Sequence, residues 1–364
     1  MKPFDWENNP KDQAHLIREG QRTFPGKQLA KQPTVVFDRG GLDEFWTGLM
    51  NSEQRESLLK RIKSGELVPV NADVLGDVAN VQTVFHTWIS EPSNDIPTIP
   101  TIVNVTGLPV SIGTHRLPRE MPGIFVRKQS FTENGISTAH RARGVSVVQV
   151  TNENSSALLP KHRGEFLQPF VVPPDPDLHV RDVRTYFVDG KPVEGSVRRA
   201  RKPLTADNLS GRNVPNEDQY PSAKAPGPNE PLEGPLRERV FNIAKDVTGV
   251  LDRKVRGRQR AFSPYSTVGF GSVDFLLDAN GIPRPVDYDI SPSVTTFQDI
   301  DRSVASHVAQ HLASLADRDG GKRNIMVIGH NDDRFTSTII EKLKQMVLPD
   351  RVILQKPLLD QLQK

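Results

Sequence analysis

Three aspartates within residues 271–293 have the type and spacing that a metal site requires. Asp287 and Asp289 are two residues apart in an apolar run, and Asp274 lies in the run before it. Residues two apart in a strand share a face, and the turn sequence Asp278–Gly281 predicts an antiparallel hairpin that, in simple register, brings Asp274 opposite. Such carboxylates repel unless a cation binds, and Mg²⁺ or Mn²⁺ prefers oxygen ligands. The alternative interpretation is a hairpin edge whose charges face water and deter pairing.

A lysine followed by small polar residues forms a second candidate segment, within residues 125–144. Lys128 ends a predicted strand, and Ser130 begins a run rich in Ser, Thr, Asn and Gly. Backbone N–H groups and hydroxyls in such a loop can bind a phosphate, with the lysine as a point charge. A solvated hairpin connection with a lysine at its edge is the alternative interpretation.

A basic run over residues 181–202 is the third candidate segment. Asp182 and Arg184 lie two apart on one predicted strand, and the return strand ends in Arg198, Arg199 and Arg201. Arginine suits phosphate recognition because its planar guanidinium donates two parallel hydrogen bonds and stays charged. The alternative is an exposed edge strand whose basic residues prevent pairing with other chains.

Short strands and amphipathic helices position these residues. Alternation and turn residues predict strands at residues 33–37, 123–128, 145–151, 165–172, 183–188, 192–198, 323–329 and 351–354. Apolar residues at helical spacing predict helices at residues 52–64, 236–255, 299–315 and 336–346, and a weaker one at 72–88. Residues 204–235 are rich in Pro, Asn and Gly, which predicts a long mobile loop.

Composition excludes several classes of chemistry. The chain has 364 residues and no cysteine, which rules out disulfides, thiolate nucleophiles and cysteine-bound metals. A net charge of +3 fits an anionic substrate, a nucleotide or nucleic acid. No apolar segment is long enough to cross a bilayer, and residues 1–13 lack an apolar core, so a cytoplasmic location is expected.

The order of these segments resembles the ATP-grasp superfamily, in particular its RimK-like carboxylate-amine ligase branch. Along the chain come the lysine loop, the strand with Glu165-Phe166-Leu167-Gln168, the Asp-x-Arg strand, a mobile loop, a helix and the acidic hairpin. The segments VDFLLD and DYDISPS match the metal-binding element of that family. Asp289 departs from the family, which usually has Asn there, and adds one negative charge.

The resemblance implies a role for each matching residue. Arg184 and Arg198 correspond to the catalytic arginines that face the phosphates and the acyl phosphate. Asp274, Asp287 and Asp289 correspond to the metal ligands. The nucleotide site would use Lys128, Ser130, Gln168, Pro169, Phe170, Val171 and either Asp175 or Asp177. The substrate site would use Arg199, Arg201, Arg212 and Ser291.

The resemblance also implies an architecture. The fold class is α/β (α+β), an ATP-grasp fold in which the nucleotide binds between two α+β subdomains. Residues 1–107 would form a divergent N-terminal, pre-grasp-like domain, and residues 108–172 the small subdomain. Residues 173–320 would form the large subdomain with the mobile loop 204–235, and residues 321–364 a C-terminal extension with the pattern βαβ.

The activity implied is ATP-dependent formation of an amide or peptide bond through an acyl phosphate. ATP and Mg²⁺ (or Mn²⁺) are the expected cofactors, and small carboxylates and amines, such as amino acids or a peptide, the expected substrates. No membrane partner is expected, and a homodimer is an open expectation. One alternative is an ATP-grasp kinase acting on a polyanion such as an inositol phosphate. Another is a non-catalytic nucleotide- or nucleic-acid-binding protein, although aromatic residues are not interleaved with the basic runs.

Overall fold

The structure is a computed structural model of the full chain. It describes residues 33–38, 52–70, 82–104, 108–112, 123–129, 132–133, 136–137, 145–151, 157, 159–161, 165–172, 174, 181–199, 229–259, 269–289, 298–320, 322–329 and 333–355. The contacts divide the chain into two units. Unit 1 comprises residues 1–76, 255–270 and 297–364, and unit 2 comprises residues 77–254 and 271–296.

The secondary structure elements are named here in chain order. The strands are β1 (Thr34–Asp38), β2 (Leu67–Val70), β3 (Thr101–Asn104), β4 (Pro109–Ile112), β5 (Gly123–Gln129), β6 (Thr132–Glu133), β7 (Ile136–Ser137), β8 (Val145–Val150), β9 (Glu165–Pro169), β10 (Arg181–Val188), β11 (Lys191–Arg199), β12 (Asn229–Pro231), β13 (Phe270–Leu277), β14 (Pro283–Asp289), β15 (Asn324–Ile328) and β16 (Val352–Gln355). The helices are α1 (Ser52–Lys63), α2 (Gln82–Ile89), α3 (Gly234–Gln259), α4 (Gln298–Asp317) and α5 (Arg334–Met346).

Unit 1 contains a parallel sheet with the strand order β16-β15-β1-β2. Its strands are continuous apolar runs, as expected for a parallel sheet covered by helices. Val35 and Val327 are fully buried, as is Ile339 on α5. Helix α5 begins at the N-cap Asp333, whose carboxylate accepts hydrogen bonds from the N–H groups of Phe335 and Thr336. Residues 324–355 therefore form a βαβ segment that shares a sheet with β1.

Unit 2 contains two antiparallel sheets. The first, called the lysine sheet here because it carries Lys128, has the order β4-β3-β9-β5-β8. The second, called the aspartate sheet because it carries the three aspartates, has the order β12-β11-β10-β13-β14. Apolar side chains of α3, such as Val240, Ala244 and Val247, are fully buried. The amphipathic spacing read from the sequence of α3 agrees with this burial.

The α/β fold class predicted from the sequence is confirmed, since parallel and antiparallel sheets occur together with helices. The predicted hairpin, the C-terminal βαβ segment and the helices α1, α3, α4 and α5 are present with bounds shifted by a few residues. None of the helices that the structure describes has the length and hydrophobicity that crossing a membrane would require.

The prediction that residues 204–235 form one loop is wrong at its C-terminal end. Residues Asn229–Pro231 form β12, which pairs antiparallel with β11, and α3 begins at Gly234. The reason is tertiary: the backbone of Ser196 to Arg198 offers a free strand edge, and a Pro-rich segment can pair along an edge. Residues 200–228 lie outside the described part of the chain.

Candidate active site

The acidic hairpin, β13 and β14, is present, and Asp274 lies opposite Asp287 as the sequence predicts, but the pairing is not in the simple register that was expected. Asp274 pairs with Asp287, and Ser272 pairs with Asp289. Asp278 forms the turn: its carboxylate accepts hydrogen bonds from the N–H groups of Asn280 and Ile282, both at 2.9 Å. The pairing shifts by one residue after Asp274, so that β14 contains a bulge before Asp287. Two carboxylates therefore lie opposite each other on neighbouring strands.

Arg184 on β10 binds Asp274 on the adjacent strand β13. The guanidinium donates from Nε to Oδ1 at 2.7 Å and from Nη2 to Oδ2 at 2.6 Å. Both side chains are largely buried, with 13% of each exposed. Burial disfavours the charged guanidinium, but Asp274 outweighs this effect and raises the pKa of Arg184 above its ordinary value. Both oxygens of Asp274 are thus engaged with Arg184.

Among the residues that the structure describes, Asp287 has no ion pair comparable to that of Asp274. Burial raises the pKa of its carboxyl to about 6, and the neighbouring Asp274 adds to this effect, while Lys128 and the Tyr288 N–H oppose it. The Tyr288 N–H donates to Asp287 Oδ1 at 2.8 Å. The surroundings therefore disfavour the ionised form of Asp287, mainly because burial removes water from its carboxylate.

Lys128 on β5 connects the two sheets of unit 2 electrostatically. Burial lowers the pKa of its ammonium group, and the carboxylates of Asp287, Asp182 and Asp274 counteract this. Its Nζ lies 5.8 Å from the centroid of the Phe166 ring on β9. The lysine of one sheet therefore faces the carboxylates of the other.

The adjoining residue of β5 makes a structural ion pair. Arg127 donates to both carboxylate oxygens of Glu165 at 3.1 and 3.0 Å, and the Lys161 N–H donates to the same carboxylate at 2.8 Å. Because successive residues of a strand point to opposite faces, Arg127 and Lys128 lie on different faces of the sheet. Arg127 thus fastens β5 to β9 without facing the aspartates on the side of Lys128.

Gln168 on β9 has a buried side chain that is engaged inside the protein. Its Nε2 donates to Thr101 Oγ1 at 2.9 Å and lies 3.3 Å from Nε2 of His86. Pro169 ends β9, and the Phe170 N–H donates to the carbonyl of Ile124 at 2.9 Å. A base that binds beside β9 would therefore meet backbone groups, with Val171 as the next residue along, and not the amide of Gln168.

Other predicted site residues are only partly described. Arg198 pairs in register with Asp182, and Arg199 with Arg181, in the ladder between β10 and β11. The remaining predicted residues that lie outside the described part of the chain are Ser130, Asp175, Asp177, Arg201, Arg212 and Ser291.

The aspartates fit a divalent cation in part. Among the described residues, no group of three or more His, Cys, Asp or Glu side chains is arranged to hold a metal ion. Asp274 is committed to Arg184, but Asp287 and Asp289 are partly buried oxygen donors two apart on one strand. Mg²⁺ is commonly held by one or two carboxylates together with substrate phosphates and water. Asp287 and Asp289 fit that mode of binding, with Asp274 as the neighbour that Arg184 orients.

The sequence did not single out His86 or the pairing of Arg184 with Asp274. His86 is fully buried on α2, and its only sequence signal is its place in the apolar segment TVFHTWI. Arg184 and Asp274 are 90 residues apart in the chain, and only the order of the strands makes them neighbours.

Comparisons with known proteins give matches among solved structures only. No protein-family model matches the chain, and no curated protein sequence does. The chain is similar to D-cycloserine synthetase DcsG, with a TM-score of 0.47, 16% sequence identity and coverage of 78% of this chain and 84% of that chain.

Two further solved structures match with lower TM-scores. A D-alanine–D-alanine ligase from Bacillus anthracis, complexed with ATP, has a TM-score of 0.38 and 13% identity over 86% of this chain and 98% of that chain. The ATP-grasp ligase PsnB, complexed with its minimal precursor, has a TM-score of 0.38 and 12% identity over 72% of this chain and 70% of that chain. The assignment of the chain to the ATP-grasp superfamily, and to its RimK-like branch, stays a prediction from the sequence.

Proposed function

We propose that this protein is an ATP-dependent carboxylate-amine ligase that forms an amide or peptide bond and releases ADP and phosphate. One observation carries the proposal: Lys128 of the lysine sheet lies within electrostatic reach of Asp287, Asp182 and Asp274 of the aspartate sheet. A cation and carboxylates that converge from two sheets provide the charges that a nucleotide triphosphate and its metal need.

Basic side chains would bind the phosphates, and backbone groups would bind the base. Lys128 would bind nucleotide phosphates as a point charge, and its partial burial strengthens that attraction by reducing contact with water. Arg184 is held in a fixed orientation by its two hydrogen bonds to Asp274, and a pre-oriented guanidinium stabilises developing phosphate charge without reorganisation. The backbone beside Pro169, Phe170 and Val171 would contact the base. Arg198, on the strand next to Arg184, would face the phosphates as the second catalytic arginine.

The bond changes follow from the proposed reaction. A carboxylate oxygen of the acid substrate attacks the γ-phosphorus of ATP, and the bond from that phosphorus to the ADP oxygen breaks. The amine nitrogen then attacks the carbonyl carbon of the acyl phosphate, phosphate leaves and the nitrogen loses a proton. No covalent enzyme nucleophile is needed, which agrees with a chain that has no cysteine.

Mg²⁺ or Mn²⁺ would be held by Asp287 and Asp289 together with phosphate oxygens. A bound cation neutralises phosphate charge and orients the triphosphate for in-line displacement. The raised pKa of Asp287 supports this assignment, since a cation would supply the missing positive charge. The extra carboxylate of Asp289 adds to the attraction for the metal.

The substrate residues belong to the proposal as well. Arg199, Arg201 and Arg212 would attract an anionic acceptor such as an amino acid or a peptide, and Ser291 would donate a hydrogen bond beside the metal ligands.

A product assay tests the proposal on the full-length chain. A thermal-shift measurement with Mg-ATP would first detect binding, because a ligand at 100 times its Kd stabilises the folded state by about 2.7 kcal/mol. Release of ADP is then measured against a panel of amino acids and amines. We expect amine-dependent phosphate release in the wild type, a loss of at least about 100-fold in Lys128→Ala, and a normal rate in Asp278→Asn.

Two results would contradict the ligase proposal. Stable transfer of phosphate to a hydroxyl, with no need for an amine, would indicate a kinase. Salt-sensitive binding of nucleic acid, together with no effect of Mg-ATP on the Tm, would indicate a binding protein without turnover.

A further inference from the structure

His86 forms hydrogen bonds toward both sheets of unit 2. It lies on α2 with no exposed surface, and its ring centroid is 5.4 Å from that of Phe166 in the lysine sheet. A ring N–H donates to the backbone carbonyl of Val286 in the aspartate sheet. On the lysine sheet, the Gln168 amide nitrogen lies 3.4 Å from Nδ1 and 3.3 Å from Nε2 of His86. The imidazole therefore bridges β9 and β14.

Val286 is the bulged residue of the acidic hairpin. Asp274 pairs with Asp287 and Phe275 pairs with Pro285, which leaves Val286 without a register partner on β13 in the described hairpin. A carbonyl displaced from a strand ladder needs another donor when it is buried. His86 supplies that donor. The residue that follows the bulge is Asp287, so the bulge determines where its carboxylate lies.

The hydrogen bonds that connect Gln168, His86 and Val286 have a consistent direction from donor to acceptor. Burial lowers the pKa of His86 to about 3, and the charge of Lys128 lowers it further, against the hydrogen bond to Val286. A neutral imidazole has one N–H donor and one acceptor nitrogen. The donor is directed to Val286, and the acceptor faces the Gln168 amide, whose other N–H donates to Thr101 Oγ1.

We infer that His86 is a positioning residue: it fixes the Val286 bulge, and through it the Asp287 carboxylate, while Gln168 orients the imidazole. The effect of this role on catalysis rests on the proposed ligase function. The role itself, a chain of contacts from Gln168 through His86 and Val286 to Asp287, can be tested without measuring turnover. Gln168 accordingly serves the reaction from inside the protein and not by touching the nucleotide.

The Tyr288 amide is a reporter of the Asp287 carboxylate. Its N–H donates to Asp287 Oδ1 at 2.8 Å, so its proton chemical shift and its hydrogen exchange respond to the position of that carboxylate. These are measured by NMR on the full-length chain in the wild type and four variants. The variants are His86→Leu, His86→Asn, His86→Gln and the packing control Ile89→Ala, a fully buried residue of the same helix.

We expect His86→Leu to shift the Tyr288 amide proton upfield and to raise its exchange rate at least about tenfold, the factor for a hydrogen bond of about 1.4 kcal/mol. One of the two amide variants, whose side-chain N–H can reach the Val286 carbonyl, should keep the wild-type shift. Ile89→Ala should lower the Tm and leave the chemical shift of the Tyr288 amide proton unchanged. In kinetic assays, His86→Leu should raise the Mg²⁺ concentration for half-maximal ADP release about tenfold and leave the KM for the amine unchanged.

Specific results would overturn the inference. An unchanged Tyr288 amide in His86→Leu would do so, as would equal changes in His86→Leu and Ile89→Ala. If His86→Leu does not fold, the same decision follows from His86→Asn and His86→Gln, since failure of both to keep the wild-type shift contradicts the role. If the Tyr288 N–H signal changes as expected but the protein makes no amide or peptide product, the positioning role is supported and the ligase proposal is refuted.

Discussion

The two ends of the acidic hairpin carry the same residue type in opposite electrostatic states. At the turn, burial alone would raise the pKa of Asp278, but hydrogen bonds from Ile282, Arg284 and Asn280 lower it below its ordinary value. At the strand end, burial and Asp274 raise the pKa of Asp287 to about 6. The turn carboxylate is satisfied by hydrogen bonds, whereas at Asp287 burial and the charge of Asp274 outweigh the charge of Lys128 among the described residues. A carboxylate that the fold itself leaves undercompensated is a candidate for binding a cation.

The largest difference in stability between the two ends of the hairpin is expected when the ion-paired aspartate at each end is replaced by alanine. Asp274→Ala leaves the largely buried Arg184 without its bidentate partner, which should lower the free energy of unfolding by about 3–5 kcal/mol. Asp278→Ala removes turn hydrogen bonds and an ion pair to Arg284 at 2.8 Å, and should cost about 1–2 kcal/mol. Urea denaturation measures both values. Equal losses would contradict the distinction between a buried pair and a turn.

Two glycines extend the comparison to the backbone. A Cβ at Gly271 would clash with the Phe187 ring and lie 2.6 Å from the Asp289 carbonyl oxygen, so Gly271→Ala should cost about 3 kcal/mol through overpacking.

Gly281 differs because open space surrounds it and its φ is +70°. Gly281→Ala should cost only about 1–2 kcal/mol, the penalty of the left-handed conformation. Thermal denaturation of the two variants checks the order, and a larger Tm loss in Gly281→Ala would show that the close packing at the strand end is wrong.

Neutralising Asp287 and Asp278 should change stability in opposite directions at pH 7. The pKa of Asp287 is raised in the folded state from 3.8 to about 6. The native protein therefore binds the proton more tightly, and the stability that this carboxyl contributes is present below about pH 4 and is lost as the pH rises through about 6. Asp287→Asn should accordingly gain roughly 1–2 kcal/mol over the wild type at pH 7, and less as the pH falls.

Asp278 has the reverse sign because its folded-state pKa is lowered. Its contribution is present above the unfolded pKa and is lost as the pH falls through the folded one. Asp278→Asn should therefore lose about 1 kcal/mol at pH 7, and less in acid. Denaturant titrations between pH 3 and 7 compare the two curves, and parallel curves would contradict the opposite pKa shifts of the two carboxyls.

The smallest expected effect concerns Tyr288, which stacks between Phe85 and Phe187 with centroid distances of 6.0 and 5.7 Å. Its hydroxyl is buried and has no hydrogen-bond partner in the part of the chain that the structure describes. Tyr288→Phe keeps the stacking and removes an unsatisfied group, so stability should change by less than about 1 kcal/mol and toward a gain. A loss above 2 kcal/mol in calorimetry would mean that the hydroxyl has a partner.

Local sequence patterns were sufficient to predict features that depend only on neighbouring residues. The period of two placed Asp287 and Asp289 on one face, and the sequence Asp-Ala-Asn-Gly placed the turn. Strand β12 was missed because Asn229–Pro231 becomes a strand only through pairing with β11. One of the two neighbours of β1 in its sheet, β15, lies almost 300 residues later in the chain, a distance over which no local pattern operates.

The candidate site divides in the same way. Residue types and spacing were sufficient to propose Lys128 and the three aspartates as site residues, and the structure places Lys128 within electrostatic reach of Asp287 and Asp274. The ion pair of Arg184 with Asp274 depends on strand order, and the role of His86 depends on a bulge and on the packing of α2. Neither leaves a trace in the spacing of residues, because both are consequences of tertiary contacts.

Calorimetric titration of ATP into the full-length chain, with Mg²⁺ or with EDTA, tests whether Asp287 binds the metal that accompanies the nucleotide. We expect wild-type binding to depend on Mg²⁺, and Asp287→Asn to lose at least about tenfold in affinity, or 1.4 kcal/mol, although it is the more stable protein. Asp278→Asn should bind as the wild type does. Equal affinity of the wild type with Mg²⁺ and with EDTA, or of Asp287→Asn and the wild type with Mg²⁺, would contradict the claim.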